Sequence, residues 1–312
     1  MSKKNKGYIP VMLTPFTERG TVDFDGLTKL TELYLQAGAA GLFANCQSSE
    51  MFNLSPEERL AVTEHVLRVA DGAVPVVATG TFGGPVEKQA DFVKQMYEKG
   101  VEAVIVITNM LAEETESSDV FDERFVRLLD ATPGVLLGFY ECPEPFKRVL
   151  TAEQLARFVG TGRVIYHKDT CLDIDLVRAK LATTRAVDGF GLYDAYMVHA
   201  VESLKAGSAG LSCIQGNYYP ELVVWLCNEY DNPAATDQVK KVQQFFIEHM
   251  DVMHDVYPIV AKYFLQKRGL PISTFTRKNA GVFEKTVRKR IDVLYLQYQQ
   301  LLEQVELTAL LT

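Results

Sequence analysis

Between Tyr8 and about residue 214 the chain alternates two kinds of segment. Short β-branched, near-continuous apolar runs at 9–14, 41–45, 74–79, 103–107, 135–140, 164–168, 187–191 and 210–214 predict strands covered on both faces. Longer stretches near 24–37, 57–70, 86–99, 119–130, 152–159, 173–182 and 195–206 repeat their apolar positions with helical period. Ser55-Pro56-Glu57-Glu58 and Thr151-Ala152-Glu153-Gln154 place a hydroxyl cap before an acidic first turn. Gly38, Gly72, Gly100 and Gly207 fall where helices should stop. Eight successive strand-then-helix units predict parallel strands with right-handed crossovers, the α/β class, and within it a (β/α)8 TIM barrel. An open doubly wound sheet fits less well, because Gly80-Thr81-Phe82-Gly83-Gly84 has neither GxGxxG nor GxxxxGK spacing. From about 218 onward the pattern is three or four helices with no strand, broken at Asp231-Asn232-Pro233 and at Gly269-Leu270-Pro271. The expected division is a catalytic barrel over 1–216 and a helical extension packed on it over 217–312.

Composition narrows the function classes. With 47% hydrophobic residues in 312, the chain can bury a large core. A formal net charge of −8 repels phosphate backbones, and the basic clusters are all short, such as Lys3-Lys4 and Arg288-Lys289-Arg290. No nucleic-acid partner is expected. Cys46, Cys142, Cys171, Cys213 and Cys227 are an odd set without a CxxC pair, which argues against a disulfide framework or zinc ribbon. A polar start over residues 1–6 and no apolar run approaching the ~20 residues of a membrane span complete the expectation of a cytoplasmic protein with no membrane partner.

In a barrel of this kind the chemistry lies at the C-terminal strand ends. Those ends carry Thr14, Gln47-Ser48-Ser49-Glu50, Thr79, Thr108-Asn109, Tyr140, Lys168, Gly191 and Gln215. Lys168 stands out because it closes an apolar strand, and lysine is rarely buried without a reason. Two readings stay open from the local pattern. A desolvated amine would lose its proton readily and attack a ketone to form a Schiff base. Alternatively, Lys168 pairs with Asp169 at the strand mouth. Tyr140, ending the preceding strand, is either a proton shuttle or a core aromatic with a satisfied hydroxyl. The histidines, at 65, 167, 199, 249 and 254, lack HxxxH or HxH spacing, so no metal is expected; strand alternation sends His167 away from Lys168.

Five motifs carry a family resemblance. Thr14-Pro15-Phe16 with Gly20-Thr21-Val22-Asp23 resembles a TPF…GxVD opening, and Leu54-Ser55-Pro56-Glu57-Glu58-Arg59 an LSxEER helix start. Phe139-Tyr140-Glu141-Cys142-Pro143 resembles a YNxP turn, and His167-Lys168-Asp169-Thr170 an IKDS strand end. Ala206-Gly207-Ser208-Ala209-Gly210 with Asn217 resembles the Gly-rich eighth strand. In this order, with Tyr140 and Lys168 28 residues apart, the chain resembles the dihydrodipicolinate synthase / N-acetylneuraminate lyase family of lysine-dependent aldolases. The resemblance implies a barrel with a helical C-terminal cap, a homo-oligomer (dimer or tetramer), and a cofactor-free reaction on pyruvate or another 2-oxo acid. It implies Lys168 as Schiff-base residue and Tyr140 as proton relay. It also implies Gln47, Ser48 and Ser49 as carboxylate binders, Asp194 as a hydroxyl binder, and Gly191 and Ile214 as strand-end substrate contacts.

The departures from the family pattern are specific. Where the family has G-T-T-G-E, this chain has Cys46-Gln47-Ser48-Ser49-Glu50, so an amide replaces the first hydroxyl. Asn109-Met110-Leu111 replaces P-Y-Y, removing the tyrosine that reaches into the neighbouring subunit. Pro145 stands where the synthase has the arginine that grips its aldehyde substrate's carboxylate. Leu192-Tyr193-Asp194-Ala195 replaces the sugar-acid lyases' G-Y-D-E. These differences favour aldol cleavage, condensation or dehydration of another small acid. The synthase reaction and a non-catalytic 2-oxo acid-binding paralogue are the alternatives.

Overall fold

The structure, a computed structural model, describes residues 7–310; Lys3-Lys4 lie outside the described residues. Eight parallel strands run β1 Gly7–Tyr8, β2 Leu42–Ala44, β3 Val76–Thr79, β4 Ala103–Ile107, β5 Leu137–Tyr140, β6 Val164–Asp169, β7 Gly191–Asp194 and β8 Gly210–Leu211. Their order in the sheet, β1-β8-β7-β6-β5-β4-β3-β2, leaves β1 and β2 at the two ends. A parallel bridge between Val11 and Phe43 joins those ends, with Met12 N–H donating to the Phe43 carbonyl at 3.1 Å. The ring is therefore closed. Gly210 is obligatory at the β8–β1 seam, because a Cβ there would sit 1.7 Å from the Gly7 carbonyl oxygen.

The helices that follow the strands are α1 Phe24–Gln36, α2 Pro56–Ala70, α3 Val86–Glu98, α4 Ser118–Ala131, α5 Ala152–Val159, α6 Ile174–Thr184, α7 Ala200–Ala206 and α8 Pro220–Glu229. Both expected caps form. Ser55 Oγ accepts from the Glu58 N–H at 3.2 Å, and Thr151 Oγ1 from the Gln154 N–H at 3.1 Å. Strand alternation splits the buried residues in two. Phe43, Val77, Ile105, Ile107, Tyr140 and Tyr166 fill the barrel interior. Val76, Val104, Val106, Leu137, Phe139 and Leu192 face the helices, where Phe139 meets Phe121, Phe125 and Phe158.

Three elements differ from their expected positions. Strand seven begins at Gly191 rather than ending there, since Gly189 turns the chain at φ 86° and only then does it enter the sheet. The first strand is Gly7–Tyr8, ahead of the expected 9–14, where Pro10 has no N–H to donate and only an isolated bridge at Val11 forms. The C-terminal part holds five helices rather than three or four: α8, α9 Thr236–Glu248, α10 Met250–His254, α11 Ile259–Lys267 and α12 Lys285–Gln304. Two further breaks divide the middle stretch, one at His249 between α9 and α10 and one between α10 and α11 at Tyr257-Pro258.

The helix α8 packs on β1 and β8, so the 216/217 division falls between β8 and its own helix. Buried ion pairs join the later helices to the barrel. Lys262 Nζ on α11 donates to Glu50 Oε1 at 2.9 Å and to the Phe275 carbonyl at 2.7 Å, and Glu50 also accepts the Arg277 and Lys278 N–H groups. Arg277 grips Glu58 with both prongs at 2.6 Å. Lys262→Met would strand the Glu50 carboxylate in a site where it is 2% exposed. The expected loss is about 3–5 kcal/mol of stability, read as a lower urea midpoint.

Candidate active site

Parallel register sets the site. Tyr140 pairs with Lys168 and Lys168 with Tyr193, so these three side chains share the inward face at the C-terminal end of the sheet. Tyr140 and Lys168 open, with the loops above them, into a cavity of about 580 Å³, while the Tyr193 ring stacks on Tyr166. Lys168 Nζ lies 4.0 Å from the centre of the Tyr140 ring and makes no ion pair among the described residues. Burial pulls its pKa below the ordinary lysine value. The flanking thiols do not restore a counter-charge: burial pushes Cys142 up to about 11 and Cys213 up to about 12, so both stay neutral. Burial also holds the Tyr140 phenol protonated, well above the usual tyrosine value.

The next residue explains why Lys168 is unpaired. Asp169 points outward, between the sheet and α6, where its Oδ2 accepts from Lys180 Nζ at 2.7 Å. Lys180 Nζ also donates to Glu141 Oε1 at 2.6 Å, and His167 Nε2 lies 3.4 Å from the same oxygen. Ligand atoms of Glu141, His167 and Asp169 lie close enough together to hold a cation, and the Lys180 ammonium fills that role. The pairing of Lys168 with Asp169 is thereby excluded by geometry, and His167 belongs to the helix layer as alternation predicts.

Two loops finish the cavity. After β2 the chain makes a short 3-10 turn, Gln47–Ser49, that presents Gln47 and Ser48 inward. Gln47 Oε1 accepts from the Tyr140 hydroxyl at 3.1 Å. Ser48 Oγ accepts from the Tyr257 hydroxyl at 2.8 Å. After β8 a second 3-10 turn, Ile214–Asn217, brings Ile214 to the wall. The structure thus gathers Lys168, Tyr140, Gln47, Ser48 and Ile214 in one place.

It does not bring in Ser49, Asp194 or Gly191. Ser49 Oγ is engaged within the fold, donating to the Met12 carbonyl at 2.6 Å and accepting from the Cys46 N–H. Asp194 shares register with Asp169, hence the outward face; its Oδ1 accepts the Tyr196 N–H and its Oδ2 lies 2.9 Å from His199 Nε2. Gly191 starts its strand, so it lies at the far end of the barrel, in a separate cavity with Leu181 and Ala206. The sequence reading missed Tyr257, Met250 and Lys278, which reach the cavity from the C-terminal part. The one local signal was Tyr257-Pro258, a proline that biases its predecessor out of helix inside a stretch read as helical.

Comparison with known proteins agrees with this geometry. The model of the dihydrodipicolinate synthetase family matches residues 4–296. The chain belongs to that family. A 4-hydroxy-tetrahydrodipicolinate synthase of Marinobacter nauticus is 22% identical over 291 residues, covering 90% of this chain and 97% of the relative. A probable 2-dehydro-3-deoxy-D-pentonate aldolase of Escherichia coli is 23% identical over 279 residues, covering 88% of this chain and 90% of the relative. The family prophage protein YagE of Escherichia coli, solved with pyruvate, superposes with a TM-score of 0.83 at 22% identity, covering 97% of this chain and 99% of that one. Like its relatives, this member of the dihydrodipicolinate synthetase family is an enzyme of the aldolase/lyase kind. No helix among the described residues is long and apolar enough to cross a membrane.

Against the family pattern, the substituted positions have clear placements. Leu111 is buried in the apolar layer and offers no hydroxyl. Pro145 faces a different cavity, beside Met110 and Phe146. Of the two cations after it, Arg148 turns away to the Glu113 and Glu116 carbonyls, whereas Lys147 lines the lysine cavity and donates to the Thr170 carbonyl at 2.7 Å.

The outward ion cluster makes stability depend on pH. Burial alone would raise the Asp169 pKa, but the His167 hydrogen bond and the Lys180 charge outweigh it and hold the carboxyl well below the usual range. A depressed carboxylate contributes stability that is complete above about pH 4 and is lost as pH falls through its folded value. Thermal scans should show the melting temperature falling as pH drops below about 4, the ordinary aspartate range. Asp169→Asn should melt lower at neutral pH and show a shallower acid limb.

Proposed function

We propose that this enzyme forms a covalent imine between Lys168 and pyruvate or another small 2-oxo acid, and uses it to make or break a carbon–carbon or carbon–oxygen bond. The observation that carries the reading is a buried lysine with no carboxylate partner, facing a cavity, beside a protonated phenol. A neutral amine attacks the C2 carbonyl; loss of water then gives a protonated imine that accepts electrons from the bond under reaction. No metal or organic cofactor is needed for that step.

The division of labour follows from the hydrogen bonds. The Tyr140 ring lies beside the Lys168 amine, and its hydroxyl supplies or removes the proton at the carbinolamine or the substrate hydroxyl. Gln47 orients that phenol through its oxygen but has no exchangeable hydroxyl to pass a proton onward. Ser48 and the amide N–H groups of Gln47 are donors available to the substrate carboxylate. In this reading the protein works in the cytoplasm as a homo-oligomer, the assembly that the family resemblance implies. The synthase reaction is disfavoured, because Pro145 has no donor and Lys147 cannot make the two-pronged grip of a guanidinium. A small hydroxylated 2-oxo acid, as in the pentonate aldolase relative, fits better.

Incubation with pyruvate followed by borohydride should add a reduced adduct at Lys168, located by peptide mass. The trapping rate should rise with pH to a midpoint below the ~10.4 of ordinary lysine. An adduct elsewhere, or none across a broad set of 2-oxo acids, refutes the reading. Tyr140→Phe should lose about 10²–10⁴-fold in turnover while still trapping.

Supplied with pyruvate and aspartate semialdehyde, the protein should be at least about a thousandfold less efficient than an authentic synthase. Efficiency within about tenfold, about 1.4 kcal/mol, would mean that Lys147 does the arginine's work.

A further inference from the structure

We infer that Tyr257, delivered from the C-terminal part of the chain, is a positioning residue that makes Ser48 a one-way hydrogen-bond donor to the substrate carboxylate. The inference rests on the reading of this cavity as a 2-oxo acid site. It starts from a chain of four side chains that crosses the barrel mouth. Tyr34 hydroxyl donates to Asn217 Oδ1 at 2.5 Å, and Asn217 Nδ2 approaches the Val11 carbonyl at 2.9 Å and Tyr257 Oη at 2.7 Å. The Tyr257 hydroxyl in turn meets Ser48 Oγ at 2.8 Å.

The direction of this chain is fixed at one end. A backbone carbonyl can only accept, so the amide group facing Val11 must be the NH₂ of Asn217. The same NH₂ then donates to Tyr257 Oη. The phenol spends its single hydrogen on Ser48 Oγ and occupies one of its two lone pairs, so the serine hydrogen cannot point back along the same bond. The hydrogen of Ser48 itself remains, on a residue that lines the cavity. Burial keeps Tyr257 protonated, so the order does not reverse at ordinary pH. On the other side of the turn Tyr140 occupies the oxygen of Gln47 in the same sense and leaves its NH₂ free. Two tyrosines thus turn the hydrogens of an ambivalent serine–glutamine pair toward the cavity. Such a pair suits an anionic carboxylate, which only accepts, and gains little with a group that itself donates.

The test compares pyruvate with its uncharged methyl ester, using the full chain. Half-saturation is read by calorimetry and by borohydride trapping, for the parent, Tyr257→Phe, Ser48→Ala and the double variant. Tyr257→Phe should raise the pyruvate half-saturation about tenfold and leave that of the ester within about twofold. In the Ser48→Ala background the same change should add nothing, because the two residues act as one unit. Equal weakening of acid and ester by Tyr257→Phe would overturn the inference, since a general packing defect behaves that way. A full tenfold effect persisting without Ser48 would overturn it as well. If the parent binds pyruvate in the calorimeter but traps no imine, the chemistry assigned to Lys168 fails, and the calorimetric comparison still decides the role of Tyr257. If the parent binds neither compound, both readings fall. Should Tyr257→Phe not fold, Tyr34→Phe, at the chain's other end, leaves Asn217 less firmly set and should weaken pyruvate relative to ester in the same direction.

Discussion

Lys180 holds a buried ammonium between the carboxylates of Glu141 and Asp169, outside the barrel wall and directly behind the catalytic face. Glu141 extends the cluster by accepting the Leu150 and Thr170 N–H groups, which fixes the loops after β5 and β6. Removing one partner of such a buried set leaves an uncompensated charge, so the residues stay or fail together. Their neighbours in sequence, Tyr140 and Lys168, are held on the opposite face by the same backbone. The charge balance behind the wall is what allows Lys168 to be uncompensated in front of it.

That asymmetry has a chemical consequence. Had Asp169 been able to turn inward, Lys168 would have had a counter-ion that favours its charged form; without one, burial lowers its pKa. Thiols and phenols surround it instead, and burial keeps Cys142, Cys213 and Tyr140 uncharged. The immediate surroundings of Lys168 are therefore polar but uncharged; further out the cavity is lined by Lys147 and by the Lys278–Glu144 ion pair, with Asp251.

The C-terminal helices contribute more than cover. Lys262 and Arg277 clamp Glu50 and Glu58, the residues that follow the Gln47–Ser49 turn, so ion pairs tie the extension to that turn. The break between α10 and α11 then drops Tyr257 onto Ser48. In a family whose G-T-T-G-E turn is replaced here, a phenol from the extension restores a defined donor direction that the substituted turn lacks by itself.

The sequence by itself determined the barrel and its helix caps, because each depends on short-range rules. Alternation by two assigns inward and outward faces, and a hydroxyl three residues before a Glu or Gln caps a helix. The sequence put Tyr140 and Lys168 at successive strand ends, but left the role of each open until the family resemblance was added. The same alternation placed His167 outward. Strand seven was misplaced because Val187 and Phe190 look like strand residues, while the turn at Gly189 is set by how α6 meets the sheet. Ser49, Asp194 and Gly191 stand among functional positions in sequence, yet a single residue's rotation or a shift of start decides whether a side chain reaches the cavity. Only the tertiary structure could give Asp169 to Lys180, Glu50 to Lys262 and Ser48 to Tyr257. These partners lie 11, 212 and 209 residues apart. Hydrogen bonds and ion pairs at that separation follow from where packed elements bring the chain, and no local periodicity encodes them.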